Sequence, residues 1–376
     1  MPITSTRSVS AAIALCAGAF VAGSAVPAPV PMKDVLVGNT PQLVTALRQA
    51  RGGQRILLAP GDYAPFALRE IAPAAQVVVT SQDPARPAVL TGVNLRGGAN
   101  LTFRNLVLRG SGKAVQEDFL FRGMRNLTIS HVLASGRTGP TGLAEDKIMQ
   151  LRECTGATIT RSEFTNAVIA LSLLDTNGVT VTSSYFHDLR MDAIRGGGNS
   201  NAMIAYNYIT GFSPKPADHP DGIQFWTSRQ KSAAHDIRII GNVIHRGRGK
   251  PMQGIFMRDE TDNLPYRNVL LQDNIVVGGM FNGIAVLSDT SSLTVTNNIV
   301  AAYPDQKSWI RVNNKAKLVN NKASVYLISN KRVERLGNNK IEPVRTDTGA
   351  AAIKTWAAGR PLDRYSESLR RHVNSL

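Results

Sequence analysis

Aromatic residues make up only 6% of this 376-residue chain and are outnumbered by its 32 glycines. A large globular core built on ring packing is not expected from such a composition; tight coils are. Cysteine is almost absent. Of the two cysteines, Cys16 falls in an N-terminal segment expected to be removed, so Cys154 is left without an intramolecular partner and no disulfide holds the fold. The chain lacks a Cys/His metal pattern, a phosphate-cradling loop and a nucleophile elbow. Acidic residues are also scarce, 27 Asp and Glu against 43 Lys and Arg, giving a net charge of +16. That excess draws polyanions, of which acidic polysaccharide and lipopolysaccharide fit better than nucleic acid, because no basic run with interleaved aromatics is present. A compositional bias of secreted or periplasmic proteins would give the same charge.

Long hydrophobic runs are missing too. The apolar stretch from Ala11 to Ala22 is too short to span a membrane. With Arg7 before it and Gly23-Ser24-Ala25 after it, residues 1–25 read as a secretory signal, which predicts a secreted or periplasmic protein. Leu15 before Cys16 fits a lipoprotein signal poorly.

What the sequence does have is a repeat. Eight-residue units begin at Leu101, Leu127, Ala157, Val179, Ala202, Ile237, Val269, Leu293 and Ala316, at spacings of 26, 30, 22, 23, 35, 32, 24 and 23 residues. First and third positions are apolar and alternate with polar ones, the period of a strand with one buried face. Asn207, Asn242, Asn274, Asn298 and Asn321 occupy the sixth position of five successive copies. Such a column makes sense if each copy stacks on the last, with amides hydrogen-bonded up the stack at a turn. The spacings suit one solenoid coil plus variable loops, and no leucine-rich-repeat consensus or helical segment is visible. The reading is an all-β, right-handed parallel β-helix.

The periodicity resembles that of the pectate-lyase-like superfamily, over roughly residues 35–330. The opening run Arg55-Ile56-Leu57-Leu58-Ala59-Pro60-Gly61-Asp62-Tyr63 looks like the first strand and turn of such solenoids. Before it, Thr40 as a cap, Pro41 and apolar spacing predict a helix over 41–50 that covers the open end of the stack. Residues 331–376 leave the repeat and form a C-terminal cap or tail, helix-favouring over Thr348–Gly359 and Pro361–Val373. The resemblance implies a carbohydrate-active solenoid without fixing the chemistry, because the fold carries lyases, hydrolases, epimerases, esterases and adhesins.

A second register, Asp192-Ala193-Ile194-Arg195, Asp221-Gly222-Ile223-Gln224, Gln253-Gly254-Ile255-Phe256 and Asn282-Gly283-Ile284-Ala285, points to a groove. With each Ile inward, Arg195, Gln224, Trp226, Phe256 and Arg258 fall on one outer face. The two longest spacings border this stretch, where binding loops are expected. The first insertion carries Lys215 and Asp218-His219-Pro220-Asp221, with His219 between two carboxylates in a Pro-bounded loop; the second carries Arg246, Arg248, Lys250, Asp259 and Glu260. The His219 cluster resembles the Asp-Pro-His element of β-helix mannuronan epimerases, but the residue order differs and no roles transfer. His187, Asp188, Arg190 and Asp192 come from the preceding coil.

The bland alternatives are specific. Asp192 and Asp221 would cap turns, Trp226 would shield a loop base, His187 and His245 would be solvated, and His131 would be structural. Asp259, Glu260 and Asp262 would form an exposed acidic loop, with calcium as the only metal to consider and no other cofactor expected. The polygalacturonase-type signatures Asn-Thr-Asp, Asp-Asp and Gly-His-Gly are absent, which counts against hydrolysis. β-Elimination needs a cation to neutralise a uronate carboxylate and a base to take the α-proton. Arg195, Arg258, Lys215 and Lys250 are candidate cations, and His219, tuned by Asp218 or Asp221, is the candidate base. Gln224, Trp226, His187 and Asp192 are candidate sugar contacts. The expected partner is an acidic polysaccharide bound by a monomer, as substrate of a lyase or epimerase or as ligand of a non-catalytic scaffold.

Overall fold

A computed structural model describes residues 32–111, 117–230, 232–313, 315–334 and 336–376; the expected signal segment lies outside them. Among the described residues the chain winds into a solenoid whose strands pair in parallel, except that Tyr326–Ile328 pairs antiparallel with Lys331–Arg332 and isolated antiparallel bridges join Thr138 to Ala144 and Tyr303 to Gln306. Each coil has three faces. The first holds the opening positions of every repeat, stacked in register, as in Leu101↔Leu127 and Ile204↔Ile239↔Leu271↔Val295↔Leu318. The second holds short strands such as Tyr208–Thr210, Val243–His245 and Ile275–Val277. The third holds longer ones such as Asp221–Thr227, Gln253–Asp259 and Phe281–Val286.

The corner between the first and second faces is built by two adjacent columns. At the fifth position Asn105, His131, Arg161, Ser183, Tyr206, Gly241, Asp273, Asn297 and Asn320 all have positive φ, between 48° and 64°. One left-handed residue per coil turns the chain, and most of these side chains must tolerate that cost. The next residue secures the turn. Asn242 Nδ2 donates to Asn274 Oδ1 at 3.0 Å and to the Ile204 carbonyl at 2.8 Å, and its backbone N–H donates to the same Asn274 Oδ1 at 2.9 Å. The pattern repeats from Asn207 through Asn321 and runs one step further to Asn339. The solenoid therefore continues past residue 330, to the pairing of Lys322–Ala323 with Lys340–Ile341.

Helix α1 (Thr40–Gln49) covers the N-terminal end with Leu43 and Leu47 buried; its cap is Asn39, whose side chain accepts from the Gln42 N–H at 3.0 Å, not Thr40. Thr40 already has helical geometry, so its hydroxyl cannot serve as the cap. Helices α2 (Ala350–Ala357) and α3 (Glu367–Ser375) lie along the side of the solenoid. They bury Ile353, Trp356 and Leu369 against Val243, Ile275, Val277, Ile299 and Ala301 of the second face. Trp356 Nε1 donates to the Asp273 carbonyl at 2.8 Å and Tyr365 Oη to that of Gly241 at 2.7 Å. Apolar residues at the outward seventh positions of these coils have this docking as their cause. Among the described residues no helix is long and apolar enough to cross a membrane.

Candidate functional site

The third face opens with a column of polar residues, Asp192, Asp221, Gln253 and Asn282, each followed by Ala or Gly and then Ile. A Cβ on Gly222 would come within 2.9 Å of Ile244, on Gly254 within 2.7 Å of Val276, and on Gly283 within 2.4 Å of Val300. These three neighbours are core residues of the second face. The small residue and the following Ile therefore both face inward, and simple alternation breaks at this corner. The broken alternation turns the preceding polar side chain away from the core, to the floor of the groove.

Asp192 and Asp221 lie one coil apart on that floor, 2% and 0% exposed, and each keeps one carboxyl oxygen, Oδ1, without a hydrogen-bond partner. Burial, with the neighbouring Asp221 charge adding to it, pushes Asp192 up to about 8, so it is protonated at neutral pH. Burial likewise raises Asp221, opposed by its bond to His219. Two stacked carboxyl groups with unused oxygens are costly to keep in a turn, and perturbed pairs of this kind mark functional sites.

His219 stands above them. Its Nδ1 is 3.1 Å from Asp221 Oδ2, which also accepts from Gln224 Nε2 at 2.7 Å. The bond to Asp221 raises the His219 pKa above its ordinary value. Gln253 Nε2 lies 2.8 Å from His219 Nε2 and 3.1 Å from Nδ1, against the edge between the two ring nitrogens. The orientation of that amide is set by a relay: Trp309 Nε1 donates to Asn282 Oδ1 at 3.1 Å, and Asn282 Nδ2 donates to Gln253 Oε1. The Gln253 amide then presents N–H to the imidazole edge, and the bond of Nδ1 to the Asp221 carboxylate makes Nδ1 the nitrogen that carries the proton, leaving Nε2 of the neutral ring as acceptor.

Beside this cluster Arg195 reaches three neighbours. Its Nε donates to Ser172 Oγ at 3.2 Å, Nη1 is 3.8 Å from Asp192, and the guanidinium lies 5.4 Å from the Trp226 ring. Arg195 pairs in register with Gln224, Gln224 with Phe256, and Trp226 with Arg258. The edge of His219 meets Phe256 with centroids 6.2 Å apart. Arg258 is exposed beside Trp226. The structure thus brings together His219, Asp221, Asp192, Arg195, Gln224 and Trp226, with Arg258 at the margin.

Other candidates stand differently. Asp218 does not tune His219: Arg190 binds its carboxylate at 2.8 Å and the Lys215 N–H caps it at 2.8 Å, which fixes the loop. Lys215 and Lys250 are exposed on the two insertions and, among the described residues, make no side-chain hydrogen bond or ion pair to this cluster; the Lys250 N–H bonds the Phe212 carbonyl. His187 belongs to the second face. Its ring stacks on Tyr185 at 4.2 Å and bonds Glu163 and Asp188, and Tyr185 continues the stack to Tyr208 and His372. His245 is buried beneath the C-terminal segment, not solvated, with Nε2 3.2 Å from the Thr348 carbonyl. Arg246 is buried against Tyr303 and Asp305. Asp259 is buried, and its carboxylate is consumed by the Thr261 and Leu264 N–H groups of its own turn. His131 sits at a left-handed corner. Gln253 and Asn282 join the cluster from the same column as Asp192 and Asp221, where the sequence marks only their register, and Trp309 carries no sequence signal of its own.

The stacked faces and the amide ladder define a right-handed parallel β-helix. Residues 91–300 match the model of the right handed beta helix region, and the chain belongs to that family. It is similar to the Dettilon tailspike protein, at 11% identity and a TM-score of 0.48, over 80% of this chain and 64% of that one. It is also similar to the A-module of an Azotobacter vinelandii mannuronan C-5 epimerase, at 11% identity and a TM-score of 0.47, over 80% of this chain and 92% of that one. A third similar structure is the pectate lyase Pel9A, at 12% identity and a TM-score of 0.43, over 86% and 80% of the two chains. The chain spans about two thirds or less of the tailspike (64%) and of a PL6 family alginate lyase (53%). These likenesses concern the fold. No curated protein matches.

Proposed function

We propose that the protein is a secreted or periplasmic enzyme that cleaves an acidic, uronic-acid-containing polysaccharide by β-elimination. One observation carries the reading: an exposed imidazole is oriented by a fully buried carboxylate on a groove that also holds Arg195 and Trp226. A base, a cation and an aromatic face are what proton abstraction beside a sugar carboxylate requires. Arg195, with Arg258 at the margin, neutralises the carboxylate of the substrate. His219 takes the α-proton at Nε2, displacing Gln253, and Asp221 stabilises the imidazolium that forms. Collapse of the carbanion breaks the bond to the glycosidic oxygen, which receives the proton. Return of the proton to the opposite face of the same carbon would instead give an epimerase. The positive net charge of +16 favours a polyanionic substrate.

The test is to incubate the protein with alginate, polygalacturonate and acidic glycosaminoglycans. Ultraviolet absorbance from an unsaturated product supports the lyase. Exchange of the α-proton with solvent without chain cleavage would replace it with the epimerase. Reducing ends without absorbance would mean hydrolysis, and binding alone would mean a scaffold.

A further inference from the structure

Phe281 is a large apolar residue left 46% exposed. Its backbone sits at φ 37°, in a left-handed region that bulky side chains rarely adopt. Its ring lies tilted against Trp309, with centroids 5.4 Å apart. Trp309 is held by its bond to Asn282, the residue that also bonds Gln253 of the candidate site. It further lines a cavity of about 330 Å³ with Tyr303, Lys307, Leu327, Arg332 and Val344. Lys307 and Arg332 are exposed, and among the described residues neither has an acidic partner. Asp221 pairs with Gln253, Gln253 bonds Asn282, and Asn282 pairs with Trp309. Phe281, on the coil of Asn282, is therefore two coils along the groove from Asp221 and Trp309 three, roughly 10 and 14 Å at the ordinary strand spacing.

We propose that Phe281 and Trp309 form a second sugar-stacking subsite for the same acidic polysaccharide, with Lys307 and Arg332 facing its carboxylates. This rests on the reading of the third face as a polysaccharide groove. A strained aromatic residue held out to solvent gains stacking area only when something covers it. Continuity with the polar floor at Asn282 and the unpaired cations at the rim favour a polyanionic sugar chain lying along the solenoid axis.

The test compares wild type with Phe281→Asn by isothermal titration, using size-fractionated alginate and polygalacturonate. Asparagine suits the left-handed backbone, so the variant folds as well as wild type or better. Long fragments should bind about tenfold more weakly to the variant, and fragments too short to reach Trp309 from His219 should bind unchanged. The intrinsic fluorescence change on binding long fragments should also diminish in Trp309→Phe. Unchanged binding of long fragments by Phe281→Asn overturns the subsite and leaves the groove reading intact. A wild type that binds neither polymer overturns both. A change of oligomeric state in Phe281→Asn, with polymer binding intact, assigns the ring pair to a protein contact and overturns the subsite.

Discussion

His219 leans a 59% exposed imidazole on Asp221, a carboxylate with no exposed surface, across 3.1 Å between Nδ1 and Oδ2. The anion cannot be replaced by solvent, so it fixes ring orientation and stabilises the imidazolium formed when the ring takes a proton. His219→Ala should lower turnover about a hundredfold or more. Its melting temperature should stay close to wild type, because the ring is largely outside the packed interior. Arg195→Ala should weaken binding and turnover together, and Trp226→Ala should mainly raise KM. Full activity in His219→Ala would move the catalytic centre elsewhere.

Asp192 gives a stability prediction with a definite sign. Its folded pKa, about 8, lies above the ordinary 3.8. Its contribution to stability is therefore fully present below the ordinary value and is lost as pH rises through about 8. Asp192→Asn removes that titration. The variant should melt higher than wild type at alkaline pH, with the gap closing towards acid, as thermal unfolding across this range would show. A variant destabilised equally at every pH would mean that the carboxyl is only a packing element.

Most of the fold was legible because stacking forces one residue to repeat. Asn207 to Asn321 advertise the corner, since an amide at that position closes two backbone bonds per coil. Asn339 escaped because its coil lacks the apolar alternation that marks the earlier copies. The docking of Trp356 and Leu369 was illegible from their own segment. Its signal lay instead in Val243, Ile275 and Ile299, apolar where an outward position should be polar. Part of the candidate site was legible by alternation, which puts Arg195, Gln224 and Trp226 on one face, where Arg195 pairs with Gln224 and lies against the Trp226 ring. The roles of Gly222, Gly254 and Gly283 were not, because a broken alternation shows only when the residues across the coil are known. For the same reason the two carboxylates flanking His219 looked equivalent, whereas Arg190 withdraws Asp218.

The amide ladder should be unequal in strength along its length. Asn274 is fully buried, accepts from the Asn242 backbone N–H and donates to the Ile239 carbonyl at 2.8 Å. Asn274→Ala leaves both groups without partners in a dry corner and should cost about 3 kcal/mol. Asn339 closes the ladder in a partly exposed coil, where water replaces the lost partner. Asn339→Ala should cost about 1 kcal/mol or less. Equal losses in denaturant unfolding would contradict the stacked arrangement.

Acid should loosen the C-terminal helices. The rings of His245 and His372 lie 5.3 Å apart, and His245 Nδ1 and His372 Nε2 are buried without partners. Around them stand Tyr303, Tyr208, the Thr348 carbonyl and Arg246, none of which is an anion. Burial pushes His245 down to about 4, and lowers His372 as well. Because these folded pKa values are depressed, the unfolded or undocked state binds more protons as pH falls below the ordinary 6.5. Docking is then weakened progressively from there to about 4. Amide exchange over residues 350–375 should accelerate at pH 5 relative to pH 7 beyond the intrinsic pH effect, and less so in His245→Asn. Protection that does not change with pH would show that α2 and α3 are held independently of these rings.

The two partners of His219 should move its pKa in opposite directions. Asp221 stabilises the protonated ring, so Asp221→Asn should lower the pKa. Gln253 is turned the other way by the relay from Trp309 through Asn282, and its N–H favours an unprotonated Nε2. Gln253→Leu removes that preference and should raise the pKa. If His219 is the base, the rising limb of the rate–pH profile follows each shift, to lower pH in the first variant and higher pH in the second. Both can be read directly from the imidazole proton resonances of His219, with His219→Ala assigning the signal. Shifts of the same sign would show that the Gln253 amide is not held in this orientation, and the relay would carry no weight in the mechanism.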